Sequence, residues 1–238
     1  MNSTSTAAQA DTSLITAVVN LIGTGPVPLG AYTVAEIFSV GVLLEFLEQK
    51  PSQEATSEAV RSLAARDLIA TQPGDEHIEI RGDLGIAVAF QQRSRVVLDA
   101  RLTGTDPDTP WRFLLMPQAE NVTLEVRIDA LGIHFFSLRP TEDAFNRLVA
   151  RLPHGDRGPE DADLDAALAK SPKTALVTVT RWRDSGEREK TDVILAREGD
   201  HLHVFMRDPD NPDRFKARSI DHDQLGPLLD RLAATTAA

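Results

Sequence analysis

Val122-Thr123-Leu124-Glu125-Val126-Arg127 alternates apolar and polar residues, and eighty positions later Leu202-His203-Val204-Phe205-Met206-Arg207 follows the same plan. Alternation with a period of two is the mark of a β-strand with one apolar face. Its recurrence at a fixed distance points to two copies of one unit. Extended outward without gaps, the match runs from Val96–Leu152 to Leu176–Leu232, with nine identities in 57 aligned pairs. Among them are Val97/Val177, Arg101/Arg181, Arg127/Arg207, Phe135/Phe215, Leu148/Leu228 and Leu152/Leu232. Chance alone gives roughly 6% identity at ordinary composition.

Each copy reads as four strands and a closing helix. The first strands are Arg95–Leu102 and Leu176–Trp182, the second Arg112–Met116 and Asp192–Arg197, and the third the alternating segments above. The helices carry Phe145, Leu148, Val149 and Leu152 in one copy and Leu225, Leu228, Leu229 and Leu232 in the other. A strand apolar on one side only belongs in an antiparallel sheet covered by helices on that side. The expected fold class is therefore α+β, with two quasi-repeated antiparallel ββββα halves.

Ahead of the halves, the three- and four-residue spacing of Val34, Ile37, Phe38, Gly41, Leu44 and Leu47 predicts a helix over Thr33–Glu48. Pro51 stops it, and Ser52 is placed to cap a second helix reaching Arg66. A turn at Pro73-Gly74-Asp75, a strand at His77–Ile80 and a helix from Asp83 to Gln92 follow, an order that resembles half of a winged helix. The domain plan is a disordered tail over 1–13, a helical segment over 14–95, the first repeat over 96–152, an acidic linker over 153–175 and the second repeat over 176–238. The linker, with His154-Gly155-Asp156-Arg157-Gly158-Pro159 and a short helix over Asp161–Lys170, reads as a mobile surface element.

Composition narrows the function. The 238 residues are 42% hydrophobic, enough for a core, and carry a net charge of −11. That charge repels nucleic-acid phosphate and anionic lipid. From Ala31 to Arg95, six Lys/Arg face ten Asp/Glu, and the would-be recognition helix holds Glu54 and Glu58, so nucleic acid is disfavoured as a partner. No cysteine is present, which removes disulfides and thiolate metal sites and makes a reducing cytoplasmic compartment the default. The apolar stretch Leu14–Gly30 is broken by Asn20, Gly23, Pro26 and Pro28 and is too short to span a bilayer.

No Gly-x-Ser-x-Gly elbow and no phosphate-binding glycine loop occurs. His201-x-His203, with His222 further on, is the one zinc-like spacing, but the aligned residues Asn121 and Thr123 place these histidines on a polar outer face. Asp208-Pro209-Asp210-Asn211-Pro212-Asp213 lacks the glycine and the terminal glutamate of an EF-hand and reads as a hairpin turn. No catalytic residue, metal or cofactor is expected. Phe205 lies on the polar His201/His203 side of its strand, and Phe135 and Phe136 point to opposite faces of theirs. Exposed aromatics on a sheet are typical anchors for a protein partner, and Phe136, Trp182, His203 and Phe205 are the expected partner-binding residues.

The order of parts resembles the EspG family of type VII secretion chaperones. The resemblance lies in a helical stretch ending in Ser62-Leu63-Ala64-Ala65-Arg66-Asp67-Leu68-Ile69, a first strand Arg95-Val96-Val97-Leu98-Asp99-Ala100-Arg101, and two halves closed by helices Phe145–Leu152 and Leu225–Leu232. It implies a non-enzymatic cytosolic chaperone or adaptor that holds a helical secretion substrate of the PE/PPE type. The residues themselves leave open a winged-helix transcriptional regulator with a ligand-sensing or dimerising repeat domain, and a hydrolase using His201 and His203.

Overall fold

The structure is a computed structural model describing residues 16–71, 78–104, 106 and 109–234. The protein is a mixed α+β fold. The expected tail over 1–13 and the turn at Pro73-Gly74-Asp75 lie outside the described residues, and His77 does too. Among the described residues, no helix is long and apolar enough to cross a membrane.

The N-terminal segment contains helical residues 16–22 (α1), strand β1 (Val27–Tyr32), helix α2 (Val34–Ser39), a 3-10 turn at Leu44–Phe46, and helix α3 (Gln53–Ala65). A hairpin of β2 (Ile69–Thr71) and β3 (Ile78–Ile80) and helix α4 (Gly82–Arg93) follow. The single helix expected over Thr33–Glu48 is broken. Thr33 and Glu36 form a capping box at its start, and its end is fixed by Gly41 at φ 73°. The Gly41 amide donates to Phe38 O and the Val42 amide to Ile37 O, the two bonds of a Schellman stop. Ser52 caps α3 as expected, its hydroxyl accepting from the Ala55 amide at 3.2 Å.

The first half runs β4 (Val96–Thr103), β5 (Arg112–Pro117), β6 (Val122–Ile128), β7 (His134–Pro140) and α5 (Thr141–Val149). The linker holds β8 (Asp156–Arg157) and α6 (Leu164–Lys170). The second half runs β9 (Lys173–Trp182), β10 (Arg188–Glu198), β11 (His201–Asp208), β12 (Asn211–Arg218) and α7 (His222–Ala233). Apart from the β2–β3 hairpin, one ten-stranded sheet joins the strands in the order β1-β7-β6-β5-β4-β9-β10-β11-β12, with β8 beside β11. The halves meet through the antiparallel pair β4–β9.

Both faces of this sheet are covered, which corrects the expectation of a one-sided platform. On one face α5 and α7 pack over Val96, Leu98, Phe113, Leu115, Val177, Val193 and Leu195. On the other, the N-terminal segment covers the first half through Leu29, Tyr32, Ile37, Leu63 and Phe90, packed on Leu114, Leu124 and Phe136. Helix α6 covers the far end of the second half over Ala196, Phe205 and Ala217. Thr123 and Glu125, expected to face solvent, are fully buried as a result.

The element order recurs, but the 80-residue offset is not a structural equivalence. Leu115 lies opposite Glu125, so the offset would set Leu195 opposite Phe205; Leu195 lies opposite Val204. A one-residue slip sends every side chain of a strand to the other face. Val122, Leu124 and Val126 therefore point at the N-terminal segment, whereas Leu202 and Val204 point at the side of α5 and α7. A three-residue slip separates the first strands: Asp99 opposes Leu114, but its counterpart Val179 opposes Thr191 where the offset requires Ile194. Val97 and Val177, identical in sequence, end on opposite faces. Connection length sets the slip. A tight turn at 183–187, closed by Arg183 N–H to Glu187 O at 2.9 Å, replaces the longer 104–111 loop of the first half.

The linker is tied down rather than loose. The Asp156 amide donates to Asp200 O (2.6 Å) and the Gly158 amide to Leu202 O (2.9 Å), while Arg157 grips Asp221 with two nitrogens. Gly158 sits so tightly that an added Cβ would come within 2.7 Å of His203 Nδ1 and 2.8 Å of Leu202 O. Gly158→Ala is therefore expected to push the linker off β11, read as faster hydrogen exchange at Asp156–Gly158 and a lower Tm; unchanged exchange would show that the contact yields.

Candidate functional site

Between the N-terminal segment and the hairpin of β6 and β7 lies a cleft of about 630 Å³. One wall is Val34 and Ala35 at the start of α2, and another is Phe46, Leu47 and Pro51. The floor is Trp111, Arg112, Ile128 and His134, and the rim is 130–133.

The floor is held by a buried ion pair. Arg112, 1% exposed, donates from Nε and Nη2 to the two carboxylate oxygens of Asp99 at 2.7 and 2.8 Å, and from Nη1 to Phe46 O at 2.8 Å. This fork is the geometry in which arginine meets a carboxylate best. It joins β4 and β5 to the loop that carries the cleft wall. Trp111 is fixed by its indole N–H donating to Asp129 O at 2.9 Å.

The rim is a turn organised by Asp129, whose Oδ1 accepts from both the Leu131 and Ile133 amides at 2.9 Å. Gly132, at φ 77°, takes the left-handed conformation that closes it. The turn lifts Leu131 into solvent, 86% exposed, beside the apolar wall. His134 lies buried beneath; its Nδ1–H donates to Gly132 O at 3.0 Å. Burial holds its pKa below the usual histidine value, and the neighbouring Arg112 charge pushes the same way.

The four aromatic and histidine positions expected as partner anchors fall elsewhere. Phe136 is buried in the core under the N-terminal segment, edge-on to Tyr32 at 5.4 Å. His203 and Phe205 are buried together, rings stacked at 6.3 Å, because the linker and α6 close over them. These three are core residues, not surface anchors. The register slip is the reason: it turns the His203/Phe205 row toward the helix that covers it. Trp182 is half-buried between Phe46 at 6.4 Å and the Arg188 guanidinium at 5.7 Å, so it buttresses the cleft wall from behind. The solvated outer-face role expected for His201 and His203 holds for His201 alone, which is exposed. Among the described residues, no group of three or more His, Asp or Glu side chains is placed to hold a metal.

On α3, Arg61 is paired with Glu58 at 2.7 Å, and Arg66 with the buried Glu36 at 3.1 Å, so both cations of the would-be recognition helix are engaged by carboxylates. No protein-family model matches the chain, and no curated protein matches it in sequence.

Two outcomes follow from the cleft floor. Arg112→Ala leaves the Asp99 carboxylate with only the more distant Arg101, 3.4 Å away, and is expected to cost about 3 kcal/mol in urea unfolding; a loss under about 1 kcal/mol would mean that Arg101 and water replace the guanidinium. His134 takes up a proton more readily unfolded than folded, so the stability it contributes is complete above the unfolded pKa of about 6.5 and is lost as the pH falls below that value. Tm should therefore drop between pH 7.5 and 5.5, and His134→Gln should flatten that slope; an equal slope in the variant would assign it to other groups.

Proposed function

We propose that this protein is a non-catalytic cytosolic adaptor or chaperone whose partner docks an apolar helical face in the cleft beside the β6–β7 turn. The observation that carries this reading is Leu131, raised almost wholly into solvent at the mouth of a cleft walled by Val34, Phe46, Leu47 and Trp111. A lone exposed leucine needs no explanation, but one continuous with an apolar cleft and rimmed by charges is the usual form of an interaction site. An amphipathic helix could set one side chain into such a cleft and lay the next turn on Leu131. Glu48 and Lys50 at the edge would then fix its direction by charge.

The resemblance to EspG-like chaperones supports the class of partner: a helical type VII secretion substrate whose apolar end is masked before export. Such a role needs a preformed cleft and no reacting groups. The buried Asp99–Arg112 pair supplies the rigidity, since it locks the wall-bearing loop to the sheet.

The test is affinity capture from the native cytosol with wild type, Leu131→Asp and Leu21→Asp, the last altering an exposed leucine of α1. One small helical protein at near-equal stoichiometry is expected with wild type and Leu21→Asp and should be lost with Leu131→Asp, whose Tm stays unchanged. Capture that survives Leu131→Asp moves the site elsewhere. Recovery of DNA, or of this chain alone, would overturn the adaptor reading.

A further inference from the structure

Four arginines gather where β6, β7 and α5 meet, on the face opposite the cleft. Glu125, fully buried, accepts from Ser137 Oγ at 3.1 Å and from Arg139 Nε, and its other oxygen lies 3.7 Å from Arg147 Nε. Arg139 also donates to Asp143 at 2.9 Å. Arg127 stands two residues along β6 from Glu125 on the same face, and forms no ion pair among the described residues. Its guanidinium lies 5.9 Å from the centre of the Phe135 ring, and its Nε is buried without a hydrogen-bond partner. Desolvation lowers its pKa, the Glu125 charge opposes that, and Arg147, Arg139 and Arg151 add to the lowering by like-charge repulsion.

The second half contains the same cross-strand pair, on the reverse face of the sheet, in a satisfied state. Arg207 lies 4.9 Å from the Phe215 ring centre, and it donates to Asp192 at 2.8 Å and to Pro212 O at 2.7 Å. Directly opposite Arg207 on the neighbouring strand is an aspartate region, with Val193 paired to Met206 and Asp192 next to it; directly opposite Arg127 is Phe113. The first half thus keeps the arginine and its ring, but Phe113 stands across from it, and the nearest carboxylate, Glu125, is engaged by Ser137 and Arg139. Around it, Arg127, Arg139, Arg147 and Arg151 face Glu125 and Asp143, an excess of two positive charges on a chain of net charge −11.

We propose that Arg127 and Arg147 hold an oxyanion of the phosphate class, free or as a monoester. A phosphate offers several acceptor oxygens to converging guanidinium groups and a charge near −2, which matches the local excess. A single carboxylate would neutralise half of it. The inference stands apart from the adaptor reading, because it concerns the other face of the hairpin.

The experiment is calorimetric titration of inorganic phosphate into the full chain at low ionic strength, beside Arg127→Met, Arg147→Met and Arg61→Met. The last removes the same charge from an exposed pair on α3. Loss of a charge-assisted contact should weaken binding by about tenfold or more in the first two variants and leave Arg61→Met at the wild-type value. Phosphate should also raise the Tm of wild type above its value in chloride of equal ionic strength, and not that of Arg127→Met. Arg147, a helix residue whose side chain is 39% exposed, carries the test if Arg127→Met fails to fold. A phosphoserine peptide binding more tightly than inorganic phosphate would assign the site to a phosphorylated protein, and the reverse to the free ion. No response in wild type, an equal response in Arg127→Met, or an equal loss in Arg61→Met would overturn the proposal.

Discussion

The antiparallel ladder between β4 and β9 is the constraint on which the molecule rests. It runs from Val96 opposite Arg181 to Thr103 opposite Thr174 and is the seam through which two halves become one sheet. Because neighbouring strands share their faces, the seam fixes where everything else can lie. Helices α5 and α7 come onto one side, where Leu148, Leu225 and Leu229 share a single core. The N-terminal segment and α6 are left the two ends of the other side. Neither half has a complete core without its neighbour.

Much of this was legible in the sequence. Alternation identified the third strands, Ser52 announced α3, and the aspartate-proline run at 208–213 marked the turn joining β11 to β12. What stayed hidden has physical causes. Strand β1 carries Pro28 and Gly30, poor strand formers, and is held by pairing with β7 more than a hundred residues away. The slips in register are invisible to any ungapped comparison, since a residue keeps its type while its face reverses. That is why Phe205 read as exposed and is covered; Glu125 read as solvated because α5 was not expected to cover its face, and it is buried with Arg139 and Ser137.

The cleft was the least legible part. It assembles Val34, Phe46, Trp111 and His134, which no local pattern groups together. The one signal was Leu131, an apolar residue at the tip of a turn between two strands, beside Gly132. The Arg127/Arg207 and Phe135/Phe215 identities pointed to a shared local structure, and cation–ring pairs occur at both sites. Their differing neighbours, Phe113 in one half and Asp192 in the other, became meaningful only once the strands were paired.

The sheet ends at β12, which presents Pro212, Arg214 and Lys216 to solvent, and at β1, which carries Pro28 and an irregular register. Proline withholds a donor and charged side chains repel a like strand, so neither border offers a template for a further chain. A ten-stranded sheet with clean borders would polymerise edge to edge. Borders of this kind oppose edge-to-edge growth of the ten-stranded sheet.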